Sequence, residues 1–232
     1  MEHIGIYLEH LIQLIYPNLC LACLKYTSVP NELCCMQCLN KLVFTDFHLS
    51  KENLFTEHFW GRVDIESASA LFYYTKGNPI QEMIHHLKYN KRKTVGIVLG
   101  ELHAYSLIES NYFRNIDLII PVPLHPKKEF QRGYNQSLVY AQGLAKQWEI
   151  PVARKNLLRQ KLTSTQTSKS RIERMENMKD AFVLKRIDQL KGKHILLVDD
   201  VMTTGATLEA CALKLKEVAG IKISLATLAI AK

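Results

Sequence analysis

No stretch of this 232-residue chain reaches the roughly 18 consecutive apolar residues that a membrane-crossing helix needs, so no span is expected. Internal repeats and low-complexity segments are also lacking, which excludes solenoid and repeat architectures. A composition of 47% apolar and 22% charged residues excludes global disorder, collagen and coiled coil. The beginning, Met1-Glu2-His3-Ile4, has no basic patch followed by an apolar stretch. No export leader is therefore expected, and the cytoplasm is the expected compartment. Cysteine is nearly missing from the long C-terminal part, where only Cys211 follows Cys38. Acidic residues are in deficit as well: 22 Asp and Glu against 30 Lys and Arg leave +8, a balance that favours anionic partners.

What is present is unevenly spread. Residues 1–60 hold 3 basic and 6 acidic side chains, while the stretch 151–186 holds 10 basic and 3 acidic ones, a net of +7. Five of the six cysteines fall within Cys20–Cys38. The chain thus divides into a Cys-rich front, 1–60, and a basic body, 61–232. Ile4–Tyr16 has the apolar spacing of an amphipathic helix, stopped by Pro17. Leu39–Trp60 has no clear period and reads as a connector. In the body, apolar strand candidates (Ala70–Tyr74, Leu118–Val122, Ile195–Val198, Ile223–Ala231) alternate with helical segments (Pro79–Asn90, Thr94–Ser110, Asn135–Trp148, Thr207–Val218). Strands apolar throughout are buried on both faces, so the expected class is α/β with a parallel sheet flanked by helices.

The most informative run is Ile195-Leu196-Leu197-Val198-Asp199-Asp200-Val201-Met202-Thr203-Thr204-Gly205-Ala206-Thr207. A buried strand delivers two acids, then a hydroxyl-rich turn with a glycine, then a helix. The unpaired N–H groups at that helix start suit a phosphate. Thr203, Thr204 and Thr207 add hydroxyl donors, and Gly205 lets backbone approach a ligand without a Cβ between them. Two carboxylates at the C-terminal end of a strand can accept hydrogen bonds from vicinal hydroxyls, at the sheet edge where α/β proteins bind ligands. Phosphate plus diol points to a phosphorylated ribose. A second run, Pro121-Val122-Pro123-Leu124-His125-Pro126, makes a rigid strand exit. The loop after it carries Lys127, Lys128 and Arg132, cations that suit pyrophosphate.

The run Ile195–Thr207 resembles, at all thirteen positions, the 5-phosphoribosyl-1-pyrophosphate (PRPP) signature of type I phosphoribosyltransferases. That resemblance implies that Asp199 and Asp200 hold the ribose hydroxyls. It also implies that Val201, Met202, Thr203, Thr204, Gly205, Ala206 and Thr207 complete the PRPP site, with Mg²⁺ entering on the substrate. Together with Gln131-Arg132-Gly133-Tyr134-Asn135-Gln136-Ser137, Leu87-Lys88-Tyr89, the set Arg159, Thr163, Gln166, Arg174 and Asn177, and Ala181-Phe182, the chain resembles the ComF family of competence-associated proteins with a phosphoribosyltransferase-like domain. The likeness extends over nearly the whole chain, Cys-rich front included, although Ser170 stands where that family usually has Leu.

Cys20-Leu21-Ala22-Cys23 and Cys35-Met36-Gln37-Cys38 are two C-x-x-C pairs separated by 11 residues, the donor set of a closed, structural zinc site. Cys34 can also pair with Cys38. Cys35 is preferred because the C-x-x-C spacing then occurs twice. Cys211 reads as core. Lys88, Lys91, Arg92 and Lys93 read as solvated surface, following a helix that could flank the site.

Two functions compete. One is transfer of phosphoribosyl from PRPP to a nitrogen nucleophile. The acceptor's aromatic hood is not recognisable in the sequence. The other is handling of single-stranded DNA, with uptake or recombination proteins as partners and a regulatory or vestigial PRPP site. The DNA candidates are Arg159, Lys161, Lys169, Arg171 and Arg174. A weaker third reading is a PRPP-sensing scaffold.

Overall fold

The computed structural model describes residues 18–27, 33–160 and 181–231. The expected helix over Ile4–Tyr16 lies outside them, as does the 161–180 part of the basic stretch. After the cysteines come two single-turn helices, α1 (Met36–Leu39) and α2 (Leu54–Glu57). Then follow β1 (Ser67–Tyr74), α3 (Pro79–Tyr89), α4 (Lys93–Glu109), β2 (Leu118–Pro121), α5 (Pro126–Arg132) and α6 (Gln136–Trp148). The remainder is β3 (Leu157–Arg159), β4 (Phe182–Leu184), β5 (His194–Met202), α7 (Ala206–Lys216) and β6 (Lys222–Ala231). No helix among the described residues is long and apolar enough to cross a membrane.

β1, β6, β5 and β2 lie side by side in that order, all parallel. β3 and β4 form a separate antiparallel pair. Ile195, Leu196, Leu197 and Val198 are fully buried because β5 is sandwiched. Leu196 and Val198 face one core, with α3, α4 and α6; Ile195 and Leu197 face the other, with α7 and the β3–β4 pair. This period-2 split is why the strands are apolar at every position.

The connections leaving the two edge strands, β1 and β2, are pinned by side-chain caps. The Asn78 side chain accepts from the Ile80 N–H and starts α3, with Pro79 in its first turn. Asn135 starts α6 by accepting from the Ser137 N–H at 3.0 Å, and its amide donates to the Val122 carbonyl at 2.9 Å. One side chain therefore fixes both a helix start and the exit of β2. α4 and α6 meet backbone to backbone: a Cβ on Gly143 would run into the Ile97 carbonyl, and one on Gly100 into that of Tyr140.

The segment that reads as a connector is packed structure. Residues 43–45 bond along β1 through Thr45 N–H to Leu71 O and Tyr73 N–H to Val43 O. Phe47, Phe55 and Phe59 enter the second core. Its signal is aromatic spacing at irregular intervals, which matches no helical or strand period. The cysteine region rests on the first core through Cys20, Ala22 and Cys34, and the buried His86 ring bonds the Ala22 carbonyl at 2.8 Å. The sequence-based expectation of α/β class, with a parallel sheet and flanking helices, is met.

Candidate functional site

β5 continues in register beside β6 through Met202, so the two acids sit within the strand's last turn of pairing rather than beyond it. Ser137, from the first turn of α6, donates to Asp199 Oδ1 at 2.7 Å, and the Asp200 N–H donates to the same oxygen at 2.8 Å. The Val201 N–H donates to Asp200 Oδ1 at 2.7 Å. Lys88, near the end of α3, holds Asp200 Oδ2 at 2.9 Å, with the side chains 22% and 12% exposed. Lys88 is therefore a largely buried partner of the acid pair, not solvated surface. Burial, and next the Asp200 charge, raise the Asp199 carboxyl to about 7 against the opposing pull of Ser137, the Asp200 N–H and Lys88. Both carboxylates are held in place by groups of the chain itself.

Beyond Met202 the exposed Thr203 and Thr204 form the turn, and α7 starts at Ala206. A hollow of about 30 Å³ is lined by Asp199 and residues 201–208. The first N–H groups of α7 have no helical acceptor. Gly205 caps the helix at φ +74°, and a Cβ there would lie 3.3 Å from both Phe59 Cζ and Met202 Cε. Left-handed backbone packed on Phe59 thus reserves this position for glycine.

Lys128 and Arg132 are carried by α5, a helix that the sequence pattern did not separate from its loop. His125 caps it, accepting from the Lys127 N–H at 3.2 Å. With Lys88, Tyr89, Lys91 and Gln131 they line a cleft of about 280 Å³, whereas Lys127 does not border it. Burial, then the charges of Arg159 and Arg132, lower the Lys128 pKa. The Arg132 guanidinium lies over the Tyr89 ring at 5.8 Å. A second groove, of about 530 Å³, is also bordered by Lys88 and Tyr89 and reaches Val201 and Thr203.

Of the DNA candidates, Arg159 is half-buried at the end of β3, with its guanidinium 5.4 Å from the Phe182 ring centroid. Burial lowers its pKa, opposed by the charges of Cys211 and Asp199, so it lies within the field of the acid pair. Lys161, Lys169, Arg171 and Arg174 lie outside the described residues.

In the cysteine region, which meets α3 at His86, the Sγ atoms of Cys20, Cys23, Cys35 and Cys38 all lie within 4.8 Å of one another. Cys23 and Cys35 are 3.8 Å apart, matching the ~3.8 Å sulfur separation of a tetrahedral ion with ~2.3 Å Zn–S bonds. The Cys23 N–H points at Cys20 Sγ at 3.4 Å. Burial works to raise the Cys20 thiol, but N–H donors from Cys23, Cys35 and Ala22 outweigh it and hold the group near 7. Burial and neighbouring thiols raise Cys38. These residues can hold a zinc ion. Cys34 is buried in the first core and does not join the cluster, which separates the two pairings left open by spacing.

The phosphoribosyl transferase domain family matches residues 134–232, from the start of α6 to the last strand. The matched residues include β5 with its two acids, α7 and β6. The DNA utilization protein YhgH of Shigella flexneri is 32% identical over 136 residues, covering 56% of this chain and 57% of that protein. Competence protein F of Haemophilus influenzae is 32% identical over 134 residues, covering 56% and 58%, and competence protein ComFC of Bacillus subtilis is 31% identical over 95 residues, covering 41% and 36%. The chain is thus similar to ComF-family competence proteins over about half of its length, and its residues 134–232 match a phosphoribosyl transferase domain. The alignments with the first two span a little over half of those relatives' length.

Proposed function

We propose that this chain binds PRPP with Mg²⁺ at the β5 edge and transfers its phosphoribosyl group to a nitrogen nucleophile. The carrying observation is the convergence of the Asp199–Asp200 pair, the turn at 203–207 and the Lys128–Arg132 cleft around Lys88. In this reading the carboxylates accept from the ribose hydroxyls, the α7 start takes the 5′-phosphate, and Lys128 and Arg132 meet the pyrophosphate. As the nucleophile's lone pair forms the bond to ribose C1, the C1–O electron pair departs with pyrophosphate, and the nitrogen's proton goes to solvent. Mg²⁺, carried on the substrate, neutralises leaving-group charge. Zinc on the four cysteines is closed off by thiolates and serves folding.

Calorimetry with PRPP and Mg²⁺ tests the site. Losing a charge-assisted hydrogen bond costs about 1.5–3 kcal/mol, so Asp200→Asn is expected to bind PRPP at least about tenfold more weakly with unchanged circular dichroism. Wild-type affinity in that variant would overturn the assignment.

The names of the relatives and the net +7 of residues 151–186 favour a second reading, single-stranded DNA binding in DNA uptake. Replacing Lys161, Lys169 and Arg171 by Gln should then flatten the log–log salt dependence of oligonucleotide affinity by roughly two units. An unchanged slope with lost PRPP affinity assigns the segment to the nucleotide site.

A further inference from the structure

The segment around α2 touches the turn at 203–207 without entering its hollow. Asn53 opens α2: its side chain accepts from the Phe55 and Thr56 N–H groups at 2.9 and 3.1 Å, and its amide donates to the Ala68 carbonyl of β1 at 3.0 Å. Phe59 follows in a turn closed by its own N–H on the Thr56 carbonyl at 2.9 Å. It is buried, with its ring centroid 6.0 Å from that of the buried Phe55. The ring edge lies against Gly205, where a Cβ would stand 3.3 Å from Phe59 Cζ and 3.7 Å from Cε1. Three residues on, Arg62 Nη1 lies 3.6 Å from Glu209 Oε2, with the side chains 32% and 6% exposed. Glu209 is the acid of the first turn of α7, and its N–H bonds the Gly205 carbonyl at 2.9 Å. Neither Phe59 nor Arg62 borders the hollow lined by Asp199 and residues 201–208.

We infer that Phe59 and Arg62 are positioning residues for the 5′-phosphate, acting through Gly205 and Glu209. The inference rests on the PRPP reading. A helix start binds phosphate by aiming its free N–H groups, and that aim depends on the turn before it. Here the turn ends on a glycine, the residue with the most backbone freedom to lose. Phe59, locked by its own packing, fills the space against Gly205 and restricts that freedom, as supporting residues do for a preorganised site. Asn53 ties the segment to β1, so the support is itself fixed to the sheet. Arg62 acts by charge. An unpaired carboxylate at Glu209 would repel a phosphate held at the same helix start, and the guanidinium offsets it.

The test joins hydrogen exchange of the whole protein without ligand to calorimetry with ribose 5-phosphate and with PRPP and Mg²⁺. Phe59→Leu should speed exchange across residues 203–210 and leave the β5 amides of Ile195–Val198 protected as in wild type. Its affinity for ribose 5-phosphate should fall at least about fivefold, and that for PRPP by the same factor, because the two share the 5′-phosphate. Arg62→Met should also weaken both ligands, and adding Glu209→Gln should restore them, which loss of a merely structural tie would not allow. Failure of that rescue overturns the role of Arg62. Unchanged ribose 5-phosphate affinity in both single variants overturns the whole inference, whatever their melting temperatures. Exchange that quickens equally in β5 overturns it too, since the loss is then one of general stability. A wild type that binds neither ligand overturns the PRPP reading. Faster exchange confined to 203–210 in Phe59→Leu would then still sustain the support of Gly205 by Phe59, and its absence would remove that as well.

Discussion

The cysteine cluster and the acid pair both crowd groups that repel when ionised, and the fold treats them differently. Asp199 and Asp200 receive Ser137, two backbone N–H groups and the Lys88 ammonium, all supplied by the chain. The four thiols lie within 4.8 Å of one another, and backbone N–H groups hold down only Cys20 while Cys23 and Cys38 are raised. The acids thus find donors within the chain, although burial and the Asp200 charge still raise Asp199 to about 7. Zinc on the thiols, as proposed above, would instead meet their charge with an ion that is part of the folded state.

The largest effect expected from that contrast is at the cysteines. Cys35→Ser should lose one zinc per chain and unfold the front region, whereas Cys34→Ser should keep the metal; elemental analysis with thermal melting reads both. The reverse result would assign the ion to Cys34. Next comes the internal compensation. Removing one partner of a largely buried ion pair costs about 3–5 kcal/mol. Lys88→Met should therefore destabilise by about 3 kcal/mol in urea melts, and adding Asp200→Asn should recover most of it. Additive losses would mean that the pair carries no coupling. The smallest effect concerns Asp199. Its folded pKa, about 7, lies above the ordinary ~3.9 of an unfolded aspartate. Stability is then fullest below pH ~4 and declines as the pH rises towards 7. Asp199→Asn should melt together with wild type near pH 4 and above it at pH 8. A variant that melts lower at pH 8 would show a net stabilising carboxylate.

The strand, turn and helix start of the run Ile195–Thr207 were readable because they are contiguous. The two C-x-x-C pairs were readable for the same reason. Lys88 was not, since an isolated basic cluster after a helix looks solvated until the helix is placed beside β5. Arg159 was read as a DNA contact for its charge, and the fold turns it toward Phe182 and the field of Asp199. α5 escaped notice because a helix of seven residues carries too little period to register.

The sequence by itself determined the α/β class, the buried strands, the acid-bearing turn and the thiol donors, because each is encoded over a dozen or so neighbouring residues. Tertiary structure alone decided which cations serve the acids and that two grooves meet at Lys88. Those outcomes depend on where α3 and α5 bring Lys88, Lys128 and Arg132 together, and the meeting of distant segments leaves no periodic trace in either one.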